Sequence, residues 1–395
     1  MKYGCPRLPS EAARLALFTL LLAFLFAGGV AAQPGRVQSV EELQKQLQPN
    51  FDEIAARLRN EPRNATLYVW RSKLYMGLYR RAEYLGRDRS AFAAKALADL
   101  STALGLSPTR EAYVERAGWY MMLAFAAERP AYERADPWDG LSLKYSRFGA
   151  AESDLLHALR LSDGDGQLTG SYAGLAEVYS TKAQHMSTPE AASEMRARGF
   201  KYSAWDDFDR AVAYTKEWLK YAPKKAGEWP LYNEEQLARI YHAKGRAAYN
   251  LGETGIALAA FDAGEKYFTY HYFEICNYYA IWGETYVKEK RLDDAVRTFT
   301  RGIAADEWNC RPLLERRADA YFAQGEMRKA LLEYAALWEK EEERFRGRLA
   351  VKRARVYLKL NEPDAAVGVL TSALEKTGSS FCPKIYLLRA QAFKL

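Results

Sequence analysis

The sequence predicts an all-α fold, a stack of antiparallel helical hairpins, and three observations carry that prediction. The first is a spacing. Tyr241-x2-Lys244-Gly245-x2-Ala248 is followed by Ala257-x3-Phe261-x2-Gly264, and Gly283-x2-Tyr286 by Ala295-x3-Phe299-x2-Gly302. In both stretches a small residue precedes an alanine by twelve positions and a phenylalanine by sixteen. The second is recurrence: Ala318/Ala330 and Ala354/Ala366 repeat the twelve-residue gap, so it occurs four times in succession. The third is punctuation. Turn residues fall between runs of helix length, and apolar positions within those runs recur at helical spacing. Small residues suit the line where two helices touch, and large ones fill the space beside it.

The chain opens with Lys2, Arg7 and Arg14, then a twelve-residue apolar run from Leu15 to Phe26, then Gly28-Gly29 and Val30-Ala31-Ala32. That order is the order of a secretory signal, with cleavage expected after Ala32. The alternative is an uncleaved N-terminal membrane anchor, because Leu15–Ala32 holds eighteen residues without a charge. Cys5 precedes the apolar run and so cannot be the acylated cysteine of a lipoprotein signal. No second long apolar stretch follows, so no stable membrane span is expected after signal removal. Gln33–Gln38 is expected to be a linker. Ser39-x-x-Glu42 has the form of a capping box. Pro49 is expected to end or kink the helix it starts. A second helix, Phe51–Arg59, would place Phe51, Ile54, Ala55 and Leu58 on one face.

Seven hairpin units follow when the small residue of each first helix is taken as a marker: Ser72, Gly118, Ala176, Gly245, Gly283, Ala318 and Ala354, with Ala390 opening an incomplete eighth. The matching second-helix pairs are Ala96/Leu100, Ala151/Leu155, Ala204/Phe208, Ala257/Phe261, Ala295/Phe299, Ala330/Tyr334 and Ala366/Leu370. The first three units also carry Asp before the large residue, at Asp99, Asp154 and Asp207, and their marker-to-alanine gaps lengthen to 24, 33 and 28 residues. The excess falls at Tyr79–Ser90, Ala127–Phe148 and Lys182–Ser203. Long inserts can be functional, or can merely lengthen helices. Within the third, Ser187-Thr188-Pro189-Glu190 reads as a helix start. Lys224–Trp229 reads as a connection. Ile385–Leu395 reads as a terminal helix with Ile385, Leu388 and Ala392 on its apolar face. The chain therefore divides into a signal at 1–32, a linker and leading helices at 33–62, three units with inserts at 63–230, and four regular units plus a capping helix at 231–395.

The spacing resembles the tetratricopeptide repeat, whose pattern is W-x2-L-G-x2-Y, then A-x3-F, then a closing Pro. Pro108 stands at the closing position, Asp163 replaces it in the next unit, and Phe51–Pro62 resembles a lone second helix. The resemblance implies an α-solenoid, a right-handed superhelix of about seven hairpins with a helix covering the last. One hairpin cannot bury its apolar face alone, so stability comes from stacking neighbours. The resemblance also implies a concave groove, lined by first-helix positions three before and one, four and five after the marker. That places Lys73, Trp119, His242, Arg246, Tyr249, Asn250, Glu284, Asp319, Arg355 and Lys359 among the lining residues. Some relatives clamp a partner's terminal carboxylate with Lys and Asn at set groove positions, and this chain lacks that set. Arg246 with His242 and Asn250 is the more central of its two basic groups.

Lys plus Arg number 57 against 50 Asp plus Glu, and the charges alternate along helices, which describes a solvated face rather than a nucleic-acid surface. The four histidines, His157, His185, His242 and His271, form no paired ligand spacing, and His157 reads as a packing residue. No nucleophile elbow, phosphate loop or dinucleotide fingerprint occurs, so no cofactor or metal is predicted and no enzymatic activity is expected. A catalytic module within the inserts is the weakest alternative. Cys276, Cys310 and Cys382 all fall at first-helix starts. Equivalent positions in adjacent units lie about 8–10 Å apart, whereas a disulfide wants Cα atoms within roughly 7 Å. Buried thiols are therefore expected; a Cys276–Cys310 bridge would require the entry turns to bend inward, and Cys382 should be free. The aromatic run Tyr267–Tyr279 can stack on sugars or simply fill the core between units, and core is expected for most of it. The predicted function is a secreted or periplasmic scaffold that takes a protein or extended peptide segment in its groove. The alternative is a cell-envelope glycan-binding protein that uses exposed aromatics.

Overall fold

The computed structural model describes residues 39–126, 137–222, 230–268, 274–306, 310–340, 343–377 and 383–394. Among them every element is an α-helix, seventeen in all. No helix among the described residues is long and apolar enough to cross a membrane. The all-α solenoid class that the periodicity predicts is the class observed. The expected connection at Lys224–Trp229 and the expected signal at 1–32 lie outside the described residues, as does Cys382.

The leading helix is α1, Val40–Asn60, with Ser39 as its N-cap. The Ser39 hydroxyl accepts from the Glu42 amide at 3.0 Å, and the Ser39 amide donates to the Glu42 carboxylate at 2.9 Å, so the expected capping box is present. Pro49 does not end this helix, and the separate helix expected over Phe51–Arg59 is its continuation. It lies inside a continuous 21-residue element. Val40, Leu47 and Ile54 form one buried stripe at seven-residue intervals, and they pack with Leu67, Leu74 and Leu78 of the next helix. That burial outweighs the one backbone bond a proline removes.

The hairpins follow in order. α2 (Ala65–Tyr84) pairs with α3 (Ser90–Leu106), and α4 (Arg110–Ala126) with the C-terminal half of α5 (Pro137–Arg160). α6 (Asp165–Met186) pairs with α8 (Ala204–Tyr221), with the short α7 (Pro189–Ala197) inserted between them. Next come α9 (Pro230–Leu251) with α10 (Thr254–Glu265), and α11 (Ile275–Lys288) with α12 (Leu292–Ala305). α13 (Pro312–Gln324) pairs with α14 (Met327–Lys340), α15 (Glu343–Lys359) with α16 (Pro363–Thr377), and α17 (Pro383–Ala392) packs on the last pair. In α17 Ile385 and Ala392 are buried and Leu388 packs beside them, as expected. The chain divides into two compact units. One holds α1–α4 with residues 146–162; the other holds residues 137–145 and everything from residue 163.

The first insert is a helix extension, since α2 runs on to Tyr84 and α3 starts at Ser90. The third adds α7, whose start is the predicted one: Thr188 caps it by accepting from the Ala191 amide at 3.2 Å. The repeated aspartates also acquire a reason. Asp99 receives both arms of Arg71 at 2.6 and 2.7 Å, and Asp154 both arms of Arg116 at 2.7 and 2.8 Å. Asp207 takes Lys182 at 3.2 Å and the Tyr202 hydroxyl at 2.8 Å. Each pair joins the first helix of a hairpin to its second. Such partly buried, bidentate pairs fix geometry more than they add stability.

Close approach within hairpins rests on glycine. A Cβ placed on Gly245 would sit 2.6 Å from the Phe261 ring, and one on Gly283 would collide with the Phe299 ring. Gly283 thus lies against the second helix of its own hairpin, with the Phe299 ring nearest to it. Gly264 and Gly302 do the same for Tyr241 and Tyr279, whose Cβ atoms would be 2.6 Å away. In the second unit the marker is displaced by one. Gly118 has open space where its Cβ would be, whereas Ala117 is 1% exposed. Counting from Ala117 puts Tyr113 four before and Tyr120 three after. Those are the offsets of Tyr68 and Tyr75 from Ser72, and of Tyr172 and Tyr179 from Ala176.

Two alanine substitutions should therefore differ in sign. Gly283→Ala should destabilise by about 1–3 kcal/mol because the Phe299 ring has nowhere to go. Gly118→Ala, at an exposed helical site, should stabilise by about 0.5–1 kcal/mol. Thermal melts of the two variants check both; a neutral Gly283→Ala would break the proposed interlock.

Candidate functional site

A cleft of about 680 Å³ opens between α6 and α9, with Thr215 and Trp218 of α8 also lining it. Its origin is in the sequence of α6. Ala173, Ala176, Glu177, Ser180, Thr181 and Gln184 recur at helical spacing on one face, and apart from Glu177 and Gln184 they are short. Gln236, Arg239, Ile240, Ala243 and Arg246 make the facing wall on α9. The short side chains along this face of α6 do not fill the space beside α9, and a cleft remains.

At the end of the α9 wall, Glu274 is the N-cap residue of α11 and reaches His242, its carboxylate 3.0 Å from Nδ1. His242 is 2% exposed and its ring meets Tyr278 at 5.5 Å, so it forms the wall of the cleft rather than its free surface. Burial lowers its pKa to about 4; Glu274 opposes that shift and the Arg246 charge adds to it. Arg246 itself is exposed in the cleft and makes no ion pair among the described residues.

The other predicted lining residues fall into three groups. Glu284 is held by the Tyr249 hydroxyl at 3.2 Å and by Arg316, so it is already paired. Lys288 lies over the Tyr249 ring at 3.4 Å. Asp319 receives Lys352 at 2.6 Å, and Lys352 also reaches Glu315 at 2.7 Å. These contacts join neighbouring first helices from α9 to α15, where short side chains on α6 leave the cleft instead. Asn250, Arg355 and Lys359 are exposed and lie outside the cleft. In the other compact unit Lys73 bridges Glu111 at 2.6 Å and Glu115 at 3.7 Å.

Trp119 is a correction. It is fully buried edge-to-face on Tyr79 at 5.3 Å, because the marker is Ala117 and Trp119 therefore falls off the lining positions. Ser180, Thr181, Gln184, Trp218, Gln236 and Arg239 line the cleft and were not among the predicted residues. Applying the marker offsets to Ala176 would have found the first two; Trp218, on a second helix, is beyond that rule. Most of the aromatic run that is described belongs to the core, as expected: Phe268 packs on Tyr278 at 4.1 Å and Tyr267 stacks on Tyr241 at 6.0 Å. His157 stacks on Tyr113 at 5.0 Å, as a packing residue should.

Cys276 and Cys310 form a disulfide, with Cα atoms 4.9 Å apart, and the expectation of buried thiols is overturned. The condition under which a bridge was possible is met. Cys310 sits in the turn before α13, its amide bonded to the Asp306 carbonyl at 2.9 Å, and that turn brings it in against the first turn of α11.

The chain matches no protein-family description and no curated protein. Among solved structures it is similar to pilF of Pseudomonas aeruginosa, at 14% identity over 71% of this chain and 99% of that one, with a TM-score of 0.32. It is similar also to the TPR2AB domain of yeast Sti1 in its pHSP90 complex, at 14% identity over 83% of this chain and 98% of that one with a TM-score of 0.28. A tetratricopeptide repeat protein from Parabacteroides merdae gives 16% identity over 81% and 98%, with a TM-score of 0.28. Superpositions this loose carry no inference about site or partner.

The buried histidine makes stability pH-dependent. Its folded pKa of about 4 lies below the ordinary value of 6.5, so the unfolded chain binds the extra proton between those values. Stability should be full above about pH 6.5 and fall as pH drops toward 4. Melting temperatures across that range should show the loss, and His242→Gln should flatten it; an unchanged profile in the variant would contradict the assignment.

Proposed function

We propose that the chain is a non-enzymatic scaffold, outside the cytoplasm, that holds a segment of another protein in the cleft between α6 and α9. The observation that carries this reading is Arg246, an exposed guanidinium in the cleft, beside groove carboxylates on α11 and α13 that are already paired. A guanidinium can offer two parallel donors to a carboxylate or to backbone carbonyls. Gln184 and Gln236 line opposite walls, and each can donate to and accept from an extended backbone. The extracytoplasmic location draws on the signal-like order of residues 1–32 and on the disulfide, since such bonds persist in oxidising compartments. A second reading, a cell-envelope glycan, draws on Trp218 in the same cleft, where an indole face among amides could stack on a sugar.

Arg246→Ala should change stability by less than roughly 1 kcal/mol, as for exposed charges, and weaken binding of a captured envelope protein by about 2–5 kcal/mol. Melting temperature and affinity, measured together, check this. Intact binding would remove the cleft from recognition, while retention on envelope glycan without protein would favour the second reading. Intact mass of protein from the envelope fraction should place the mature N-terminus at Gln33; a mass retaining residues 1–32 would favour the membrane anchor.

A further inference from the structure

The disulfide and the cleft share a turn. Glu274, which closes the cleft wall on His242, stands two residues before Cys276 in the first turn of α11. Cys276 and Cys310 have Cα atoms 4.9 Å apart. The bond therefore ties the first turn of α11 to the turn before α13. The two cysteines differ in exposure. Cys310 is fully buried and anchored on both sides, its amide on the Asp306 carbonyl and its carbonyl receiving the Leu313 amide, each at 2.9 Å. Cys276 is partly exposed, and the Glu274 side chain is 40% exposed. When the bond is broken, the α11 turn is the one that moves. Glu274 travels with it, and a displacement of a few ångströms separates a contact now at 3.0 Å.

We propose that the Cys276–Cys310 bridge is a redox-sensitive clamp on the cleft: oxidised, it holds Glu274 against His242 and keeps the wall shut; reduced, it releases the first turn of α11 and opens that wall. The reductant is a dithiol, and it attacks the exposed side. Its thiolate bonds to Cys276 Sγ, the Cys276–Cys310 bond breaks, and Cys310 leaves as a thiolate that takes a proton. The second thiolate of the reductant then displaces Cys276 Sγ, which also takes a proton, and the reductant departs as its own disulfide. Two electrons pass to the protein. The importance of this clamp for partner binding rests on the cleft being the recognition surface, but the opening itself can be followed without a partner.

The test uses the full chain, oxidised or treated with dithiothreitol, and the double variant Cys276→Ser/Cys310→Ser without reductant. Carbethoxylation by diethyl pyrocarbonate is followed at His242 and, as a control, at His157 in the other compact unit, by peptide mass. His242 should react roughly tenfold faster or more after reduction, as expected when a local opening replaces protection. The double variant should match the reduced chain, and His157 and the far-ultraviolet helical signal should not change. An unchanged His242 rate would overturn the clamp and leave the bridge a staple. A collapse of the helical signal, or acceleration at both histidines, would overturn it too, because the bridge would then hold the whole array. Failure of the recognition reading is separable: the clamp stands if His242 opens on reduction while Arg246→Ala leaves partner binding intact.

Discussion

Gly245 lies against Phe261, and Gly283 against Phe299, with no room for even one methyl group between helix and ring. The same closeness recurs on the opposite helices, where Gly264 and Gly302 admit the side chains of Tyr241 and Tyr279. These two hairpins are thus each locked twice, a glycine of the first helix under an aromatic of the second and a glycine of the second under an aromatic of the first. Interiors packed to this density tolerate little change in volume. The interlock fixes how the two helices of a pair lie together, and so fixes which residues of each first helix remain for contact with neighbours or with a partner. The position of Arg246, one residue after Gly245, follows from it.

The same constraint explains what could be read from the sequence and what could not. A repeated small-residue marker with a large residue sixteen positions later is a direct imprint of the interlock, so the order of hairpins was legible from Gly245 to Ala354. Where two small residues stand together the imprint is ambiguous, as at Ala117-Gly118. Choosing the glycine put Trp119 on the lining, and the tyrosines at fixed offsets would have corrected the choice. The helix expected to start afresh at Phe51 was misjudged because a local rule about proline met a tertiary stripe of Val40, Leu47 and Ile54. The cysteines were misjudged for a related reason. Helix spacing governs the middle of a helix, whereas Cys276 and Cys310 sit at entries, where the chain leaves the helix path and can approach more closely. The cleft was only half legible, since it arises from what α6 lacks.

That absence gives the cleft its character. On α11, α13 and α15 the first helices exchange charges with their neighbours, Glu284 with Arg316 and Asp319 with Lys352. On α6, alanine, serine and threonine occupy the corresponding face, and the space beside them is left to solvent, edged by Arg246, Arg239, Glu177 and Glu274. The histidine and the disulfide both bear on this wall. His242 is kept neutral by burial, and Glu274 is carried by the helix turn that the bridge restrains. Shape, charge and redox state therefore meet on one surface.

The central claim is that this surface, and not the outer face of the hairpins, meets the partner. A photo-reactive benzoylphenylalanine placed at Ser180, inside the cleft, and separately at Ala259, exposed on the outer helix α10, tests it in intact cells. The account predicts one discrete crosslinked product from position 180 and none from position 259. Crosslinking from position 259 with none from position 180 would contradict it.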